Sequence, residues 1–279
     1  MNVLSVRNLS KEYPGFALKD VSFDLKEGAV TGFIGRNGAG KSTTLKSLLN
    51  FVHPSSGEIS FFGKSFAANE LEIKQKIGFV SGGIDYYPLK KLRTITAVYK
   101  RFFTEWDDAL YRRYTGMFGL DENKTPKQLS EGMKVKYSLA LALSHHARLL
   151  LFDEPTSGLD PVSRDELLDV FLDLVENEDV TLLFSTHITT DLEKCADNII
   201  YIKNGSILAD MELDAFLSQY RLAKFAAEPA GNGKLIGVKR GRKGYTALVR
   251  SADLPVAGAE ISEPSLESIM VHIEKEGAL

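Results

Sequence analysis

The sequence predicts an α/β protein with a core of buried strands, a strand-rich region at its N-terminus, a helical insertion and a small α+β appendage at its C-terminus. Three observations lead there. A glycine-rich stretch, Gly35-Arg36-Asn37-Gly38-Ala39-Gly40-Lys41-Ser42, sits between an apolar run at 29–34 and a helix-like segment at 42–50. The segments 149–152 and 180–184 are continuous apolar runs of strand length, the texture of parallel strands buried on both faces. From about Pro88 to Gly119 the chain turns charged and aromatic with helical spacing, as at Leu92, Ile95, Val98 and Phe102.

Taken in order, Val3-Leu4-Ser5-Val6 and Val21-Ser22-Phe23-Asp24-Leu25 alternate in apolar character, with turn pairs Pro14-Gly15 and Glu27-Gly28 closing them. Two further short strands are expected at 59–62 and 77–80, and a helix is expected at 134–145 after Ser130. A helix at 191–197 carries Cys195, which is expected to be a buried structural thiol. Beyond Leu217, strands at 234–239 and 245–250 flank the turn Arg240-Gly241-Arg242-Lys243-Gly244, and a helix at 265–275 closes the appendage. The expected domains are 1–217, with a helical subdomain at 88–145, and 218–279.

Composition narrows the classes. The chain has 279 residues, 44% of them hydrophobic, and a formal net charge of −3. That balance argues against dependence on a nucleic-acid backbone, and no nucleic-acid partner is expected. One cysteine excludes an intramolecular disulfide. No run approaches the ~20 apolar residues that cross a bilayer, and the start lacks the order of a secretory signal. The expectation is a cytoplasmic chain, held at any membrane by another protein.

The stretch from Gly35 to Ser42 fits G-x-x-x-x-G-K-[ST], a phosphate cradle when it joins a strand to a helix. Glycines 35, 38 and 40 allow the backbone to wrap an anion, and amides of 38 to 43, Thr43 included, point at phosphate oxygens. Lys41 is expected on the β- and γ-phosphates, with the Ser42 hydroxyl on Mg²⁺. Leu149-Leu150-Leu151-Phe152-Asp153-Glu154 is an apolar strand ending in two carboxylates. Asp153 is expected to hold Mg²⁺ through water and Glu154 to face the attacking water. The plainer reading of that pair is a helix start with a charged first turn. Leu129-Ser130-Glu131-Gly132-Met133 opens a helix with Ser130 as N-cap, another set of free N–H donors.

Together these residues resemble the ATP-binding cassette (ABC) ATPases, in particular the nucleotide-binding subunit of an ABC transporter, over about residues 1–217. The resemblance implies a P-loop NTPase cassette with a mixed sheet core, an N-terminal antiparallel β-subdomain and an α-helical subdomain. In its terms 35–42 is like Walker A, 149–154 like Walker B and 129–133 like the signature loop. Ser157-Gly158-Leu159-Asp160 is like the D-loop, His187 like the switch histidine, and Tyr13 like the aromatic that stacks on adenine.

The resemblance also implies that two cassettes, identical or not, sandwich ATP, with Ser130 and Gly132 binding the γ-phosphate in trans. A transmembrane permease would be the partner, placing the chain on the inner face of the membrane. Gly82 falls where the family has a glutamine, leaving Ser81, Asp85 or water to replace its metal contact. Glu131 and Met133 stand where Gly and Gln are commonest, a form similar to exporters of peptides and antibiotics. Asp85, Tyr86, Tyr87, Phe102, Phe103 and Trp106 are candidates for the groove that receives the permease; Phe102 and Trp106 fit the insertion's own core as well. The alternative function is an ABC ATPase without a membrane partner, of the iron–sulfur cluster assembly type.

Overall fold

The computed structural model describes residues 2–81, 87–229 and 233–276. The chain divides into two compact units, 1–187 with 198–210 and 188–197 with 211–279. This partition differs from the 217/218 boundary expected above, because a segment preceding that boundary packs with the C-terminal residues.

In the first unit, β1 (Asn2–Tyr13) and β2 (Phe16–Lys26) form an antiparallel hairpin. On β2 strict alternation buries Val21, Phe23 and Leu25. On β1 Leu4 and Val6 alternate, and a shift in register between Val6 and Leu9 brings Leu9 into the core as well. Beyond β3 (Val30–Ile34) and α1 (Lys41–Leu48), the short strands β4 (Ser56–Phe61) and β5 (Lys64–Ser65) complete this sheet in the order β2-β1-β4-β5.

Next come α2 (Phe66–Lys74), β6 (Ile77–Ser81), α3 (Leu92–Tyr99), α4 (Asp108–Met117), α5 (Glu131–Leu143), β7 (Leu149–Asp153), α6 (Pro161–Asn177) and β8 (Thr181–Thr186). After α7 (Thr189–Cys195), β9 (Asn198–Lys203) and β10 (Ser206–Glu212) finish a six-stranded sheet ordered β10-β9-β3-β8-β7-β6. Strands β9, β3, β8, β7 and β6 run parallel, while the two-residue connection at 204–205 can join only antiparallel strands. Every residue of β3, β7 and β8 is buried, in keeping with the apolar runs 149–152 and 182–184, while Thr31, Thr181, Ser185 and Thr186 are polar groups buried with them. The register sets Ile34 beside Thr186 and Asp153 beside Ser185. The loops after β3, β7 and β8 therefore leave the sheet at one edge, where ligands bind in such folds.

The helical insertion is held by a buried hydroxyl cluster. Thr96 Oγ1 lies 2.8 Å from both Tyr111 Oη and Tyr137 Oη, and Tyr137 donates to the Leu92 carbonyl at 3.1 Å. Helical spacing placed Val98 and Phe102 with Leu92 and Ile95, but only the latter two are buried; Val98 is 50% and Phe102 70% exposed. Periodicity marks a face, not what covers it. Phe102 thus lies outside the insertion's core, whereas Trp106 is half-buried against it: its ring packs on Tyr99 and Tyr111, and its Nε1 donates to Asp108 at 2.8 Å.

His145 anchors the end of this region. It is 2% exposed, donates from Nδ1 to the Gln75 carbonyl at 3.0 Å and stacks on Phe103 with ring centroids 3.7 Å apart. Burial pushes its pKa down to about 4. An imidazole in the unfolded chain takes up its proton first, so stability is complete above pH ~6.5 and declines between there and pH ~4, by roughly 3 kcal/mol in all. His145→Gln is expected to flatten that decline. Urea unfolding of both proteins at pH 7 and pH 5 checks it, and parallel losses would remove His145 as the cause.

The second unit holds α7, α8 (Leu213–Ser218), β11 (Tyr220–Phe225), β12 (Ile236–Gly241), β13 (Gly244–Arg250), β14 (Glu260–Ser262) and α9 (Leu266–Glu276). Its sheet runs β12-β13-β11-β14. Ala223, Phe225, Ala247 and Val249 form its core, and α9 buries Leu266, Ile269, Met270 and Ile273. Helix α7 belongs here because Glu193 accepts the Leu266 N–H. Cys195 is buried and donates to the Asp191 carbonyl, with its thiol pushed up to about 12 by burial; it is a structural residue. The basic residues 239–243 stand exposed at the β12–β13 turn.

Candidate nucleotide site

The glycine-rich loop leaves β3 and enters α1 with its backbone in shapes that side chains resist. A Cβ at Gly35 would strike the Ile202 carbonyl, and at Gly40, with φ of 117°, it would lie 2.5 Å from the Leu18 side chain. Helix α1 begins on Gly40 with no side-chain cap and no acid in its first turn. Its first N–H groups are therefore left for an anion.

Lys41, 5% exposed, turns back into the loop, where Nζ donates to the Gly35 carbonyl at 2.8 Å and lies 3.5 Å from Glu154 Oε1. Ser42 Oγ donates to Asp153 Oδ1 at 3.0 Å. Glu154 follows β7 with φ of 55°, a left-handed conformation that costs a non-glycine residue about 1–2 kcal/mol. Its N–H donates to both the carbonyl and the hydroxyl oxygen of Ser185, at 3.1 and 3.0 Å. Its Oε2 accepts a hydrogen bond from His187 Nδ1 at 2.7 Å. Strand β7 thus delivers the carboxylates, β8 the imidazole, and the loop after β3 the ammonium.

These groups border a cleft of about 700 Å³ lined by Gly15, Phe16, Arg36, Asn37, Gly38, Gly40, Lys41, Ser42, Thr43, Glu154, Ser157 and His187. One wall offers N–H groups and cations, the other a carboxylate hydrogen-bonded to an imidazole. Such a surface can take a polyanion end-on and set a base beside it. Of the expected residues, Gly35 and Ala39 shape the loop from behind; the Ala39 N–H closes a turn onto the Arg36 carbonyl at 3.0 Å.

Asp153, buried behind the lining, meets the cleft only through the Ser42 hydroxyl it accepts; Tyr13, Ser130, Gly132 and Asp160 stand apart from it. Tyr13, 42% exposed, has Lys11 Nζ 5.5 Å from its ring centroid. Ser130 caps α5 by accepting the Met133 N–H at 3.2 Å, and Gly132 is buried beside it. Glu131 is paired with Lys134 at 2.7 Å. Asp160 caps α6, accepting from Val162 and Ser163 at 3.0 and 3.1 Å; hydrogen bonds from Ser163 hold its carboxyl below the usual range. Gly82, Asp85 and Tyr86 lie outside the described residues. Gly15 and Phe16 line the cleft without having been singled out in the sequence, and Ser157, which opens the D-loop-like stretch, lines it too. The Tyr-Pro-Gly-Phe turn next to Tyr13 was the available signal for the first two.

Among the described residues no helix is long and apolar enough to cross a membrane, and no group of three or more His, Cys, Asp or Glu could hold a metal. The family model described as "ABC transporter" matches residues 18–157. The bacitracin transport ATP-binding protein BcrA of Bacillus licheniformis is 31% identical over 76% of this chain and 70% of its own length. The lantibiotic transport ATP-binding protein SrtF of Streptococcus pyogenes is 33% identical over 76% of this chain and 92% of its own. Among solved structures, "Dimeric Structure of MJ0796, a Bacterial ABC Transporter Cassette" superposes with a TM-score of 0.66 at 25% identity, covering 75% of this chain and 98% of that one.

Proposed function

The chain belongs to the ABC transporter family, and from that premise we propose that it powers export of a peptide, an antibiotic or another small cargo through a separate transmembrane permease. It is an ATP-binding and ATP-hydrolysing subunit. The cargo class is supported by the bacitracin and lantibiotic relatives and by the Leu-Ser-x-Gly-Met loop. One observation supports the assignment of the site most: Lys41, Ser42, Glu154 and His187 line a single cleft, with Lys41 and His187 both on the Glu154 carboxylate and Asp153 behind Ser42 at 3.0 Å. We assign the nucleotide chemistry to residues 1–217 and an accessory role to 218–279.

In this reading the triphosphate lies along Gly35 to Thr43, with Arg36, Asn37, Gly38, Ala39 and Gly40 supplying its wrapping backbone. Lys41 releases Glu154 to meet the phosphates. Tyr13 keeps an accessible ring for adenine, with Phe16 at the cleft wall. Glu154 accepts the proton of the attacking water, and His187 holds its carboxylate in place. The hydroxyl of Ser42 and the carboxylate of Asp153, 3.0 Å apart, are hard oxygen donors of the kind Mg²⁺ prefers. When bound, that ion neutralises charge building on the phosphates.

Ser130 and Gly132, at the start of α5, would serve the ATP of a second ABC subunit, and Asp160, the N-cap of α6, is assigned to that same contact. The dimeric cassette relative supports that arrangement. The chain would then work on the inner face of the membrane.

A second cleft of about 390 Å³, lined by Tyr87, Lys90, Thr94, Ile95, Val98, Tyr99 and Phe102, is our candidate for the permease contact. Its exposed apolar side chains mark a binding surface. Glu substitutions at Val98 and Phe102 are expected to abolish co-purification with membrane protein while basal ATPase stays within about 2-fold, as for surface changes away from the chemistry. Affinity purification from membranes tests the function itself: recovery of only soluble partners would favour the cluster-assembly alternative.

A further inference from the structure

We propose that Ser185 is a positioning residue for both carboxylates of the nucleotide site, a role that rests on the reading of that site given above. Ser185 is wholly buried on β8, in register with Asp153 on the neighbouring strand. Its hydroxyl has one proton and spends it on Asp153 Oδ1 at 2.7 Å. The same oxygen accepts the Glu154 N–H at 3.0 Å. One side chain therefore bonds the carboxylate of one residue and the backbone of the next.

Both bonds bear on function. Asp153 Oδ1 also receives the Ser42 hydroxyl at 3.0 Å. When Ser42 turns toward a cation, the Ser185 bond is what keeps the Asp153 carboxylate from swinging. Glu154 sits at φ of 55°, and a left-handed residue persists only where its surroundings hold it. Here the Ser185 hydroxyl and carbonyl both take its N–H, which aims the side chain between Lys41 and His187. Ser185 touches no reacting atom; it acts through its two neighbours.

The test separates hydrogen bonding from packing. Ser185→Cys keeps the volume but offers a weak donor and acceptor, whereas Ser185→Thr keeps the hydroxyl and adds a methyl. The purified 279-residue chain is assayed for ATPase kcat and KM, for the affinity of a nonhydrolysable ATP analogue, and for Mn²⁺ binding with that analogue by electron paramagnetic resonance. The positioning role predicts that Ser185→Ala and Ser185→Cys lose about 10- to 100-fold in kcat and several-fold in Mn²⁺ affinity, the scale of a lost hydrogen bond to a charged group. Analogue affinity without metal stays within about 3-fold, and Ser185→Thr recovers most of kcat.

The opposite order, Cys tolerated and Thr not, would mean that the site needs only the volume of Ser185, and the proposal would fail. So would a Ser185→Ala enzyme with wild-type kcat and Mn²⁺ affinity. Glu154→Gln, run in parallel, tells the two readings apart: full turnover in that variant overturns the site assignment itself.

Discussion

Replacing Glu154 by glutamine is expected to stop ATP turnover while leaving ATP bound. The substitution keeps the shape of the side chain, and the amide oxygen can still accept the His187 hydrogen bond that now measures 2.7 Å. What disappears is the capacity to take a proton from water. General-base catalysis contributes about 10²- to 10⁴-fold, so kcat should fall by at least ~100-fold. Binding should respond differently, because the proposed holders of the phosphates are the loop amides and Lys41. The Lys41–Glu154 contact is loose at 3.5 Å, and the Glu154 side chain is 24% exposed; losing it leaves Lys41 freer to meet an anion. The dissociation constant should stay level or fall slightly. Phosphate-release assays and equilibrium binding of a fluorescent ATP analogue check both halves. Wild-type turnover would take Glu154 out of the base role.

That separation of chemistry from binding follows a separation in the fold. In the proposed site the loop on β3 would hold the anion, and the carboxylates on β7 would serve water and metal. Both were legible in the sequence because each is local: glycine spacing dictates a backbone path, and an apolar strand ending in Asp-Glu dictates what stands at its tip. Ser185 was not legible, since its significance arises only when β8 lies beside β7 with Asp153 opposite it. Strand β11 escaped for another reason. Tyr-Arg-Leu-Ala-Lys-Phe looks mixed in polarity, yet it pairs with β13 on one side and β14 on the other. Partners 20 or more residues away decided its state. The outward turn of Val98 escaped because a helical period cannot say whether the chain itself covers a stripe; for Phe102 the sequence left both core and groove open, and it is exposed.

Lys41→Ala is expected to raise the ATP dissociation constant by about 10- to 100-fold, the loss for a hydrogen bond made by a charged group. In the free protein this ammonium is already desolvated and anchored on the Gly35 carbonyl at 2.8 Å, so little side-chain entropy remains to be lost when phosphate arrives. Alanine removes that charge and leaves Glu154 facing the loop without its cation, which adds repulsion toward any triphosphate. The two substitutions should therefore move affinity in opposite directions from a common starting pair. In Lys41→Ala/Glu154→Gln, part of the lost affinity should return, because the uncompensated carboxylate has gone. Titration of all four proteins with the same analogue measures that coupling. Affinity unchanged in Lys41→Ala would show that nucleotide is held elsewhere; strict additivity would show that the resting Lys41–Glu154 contact does not oppose binding.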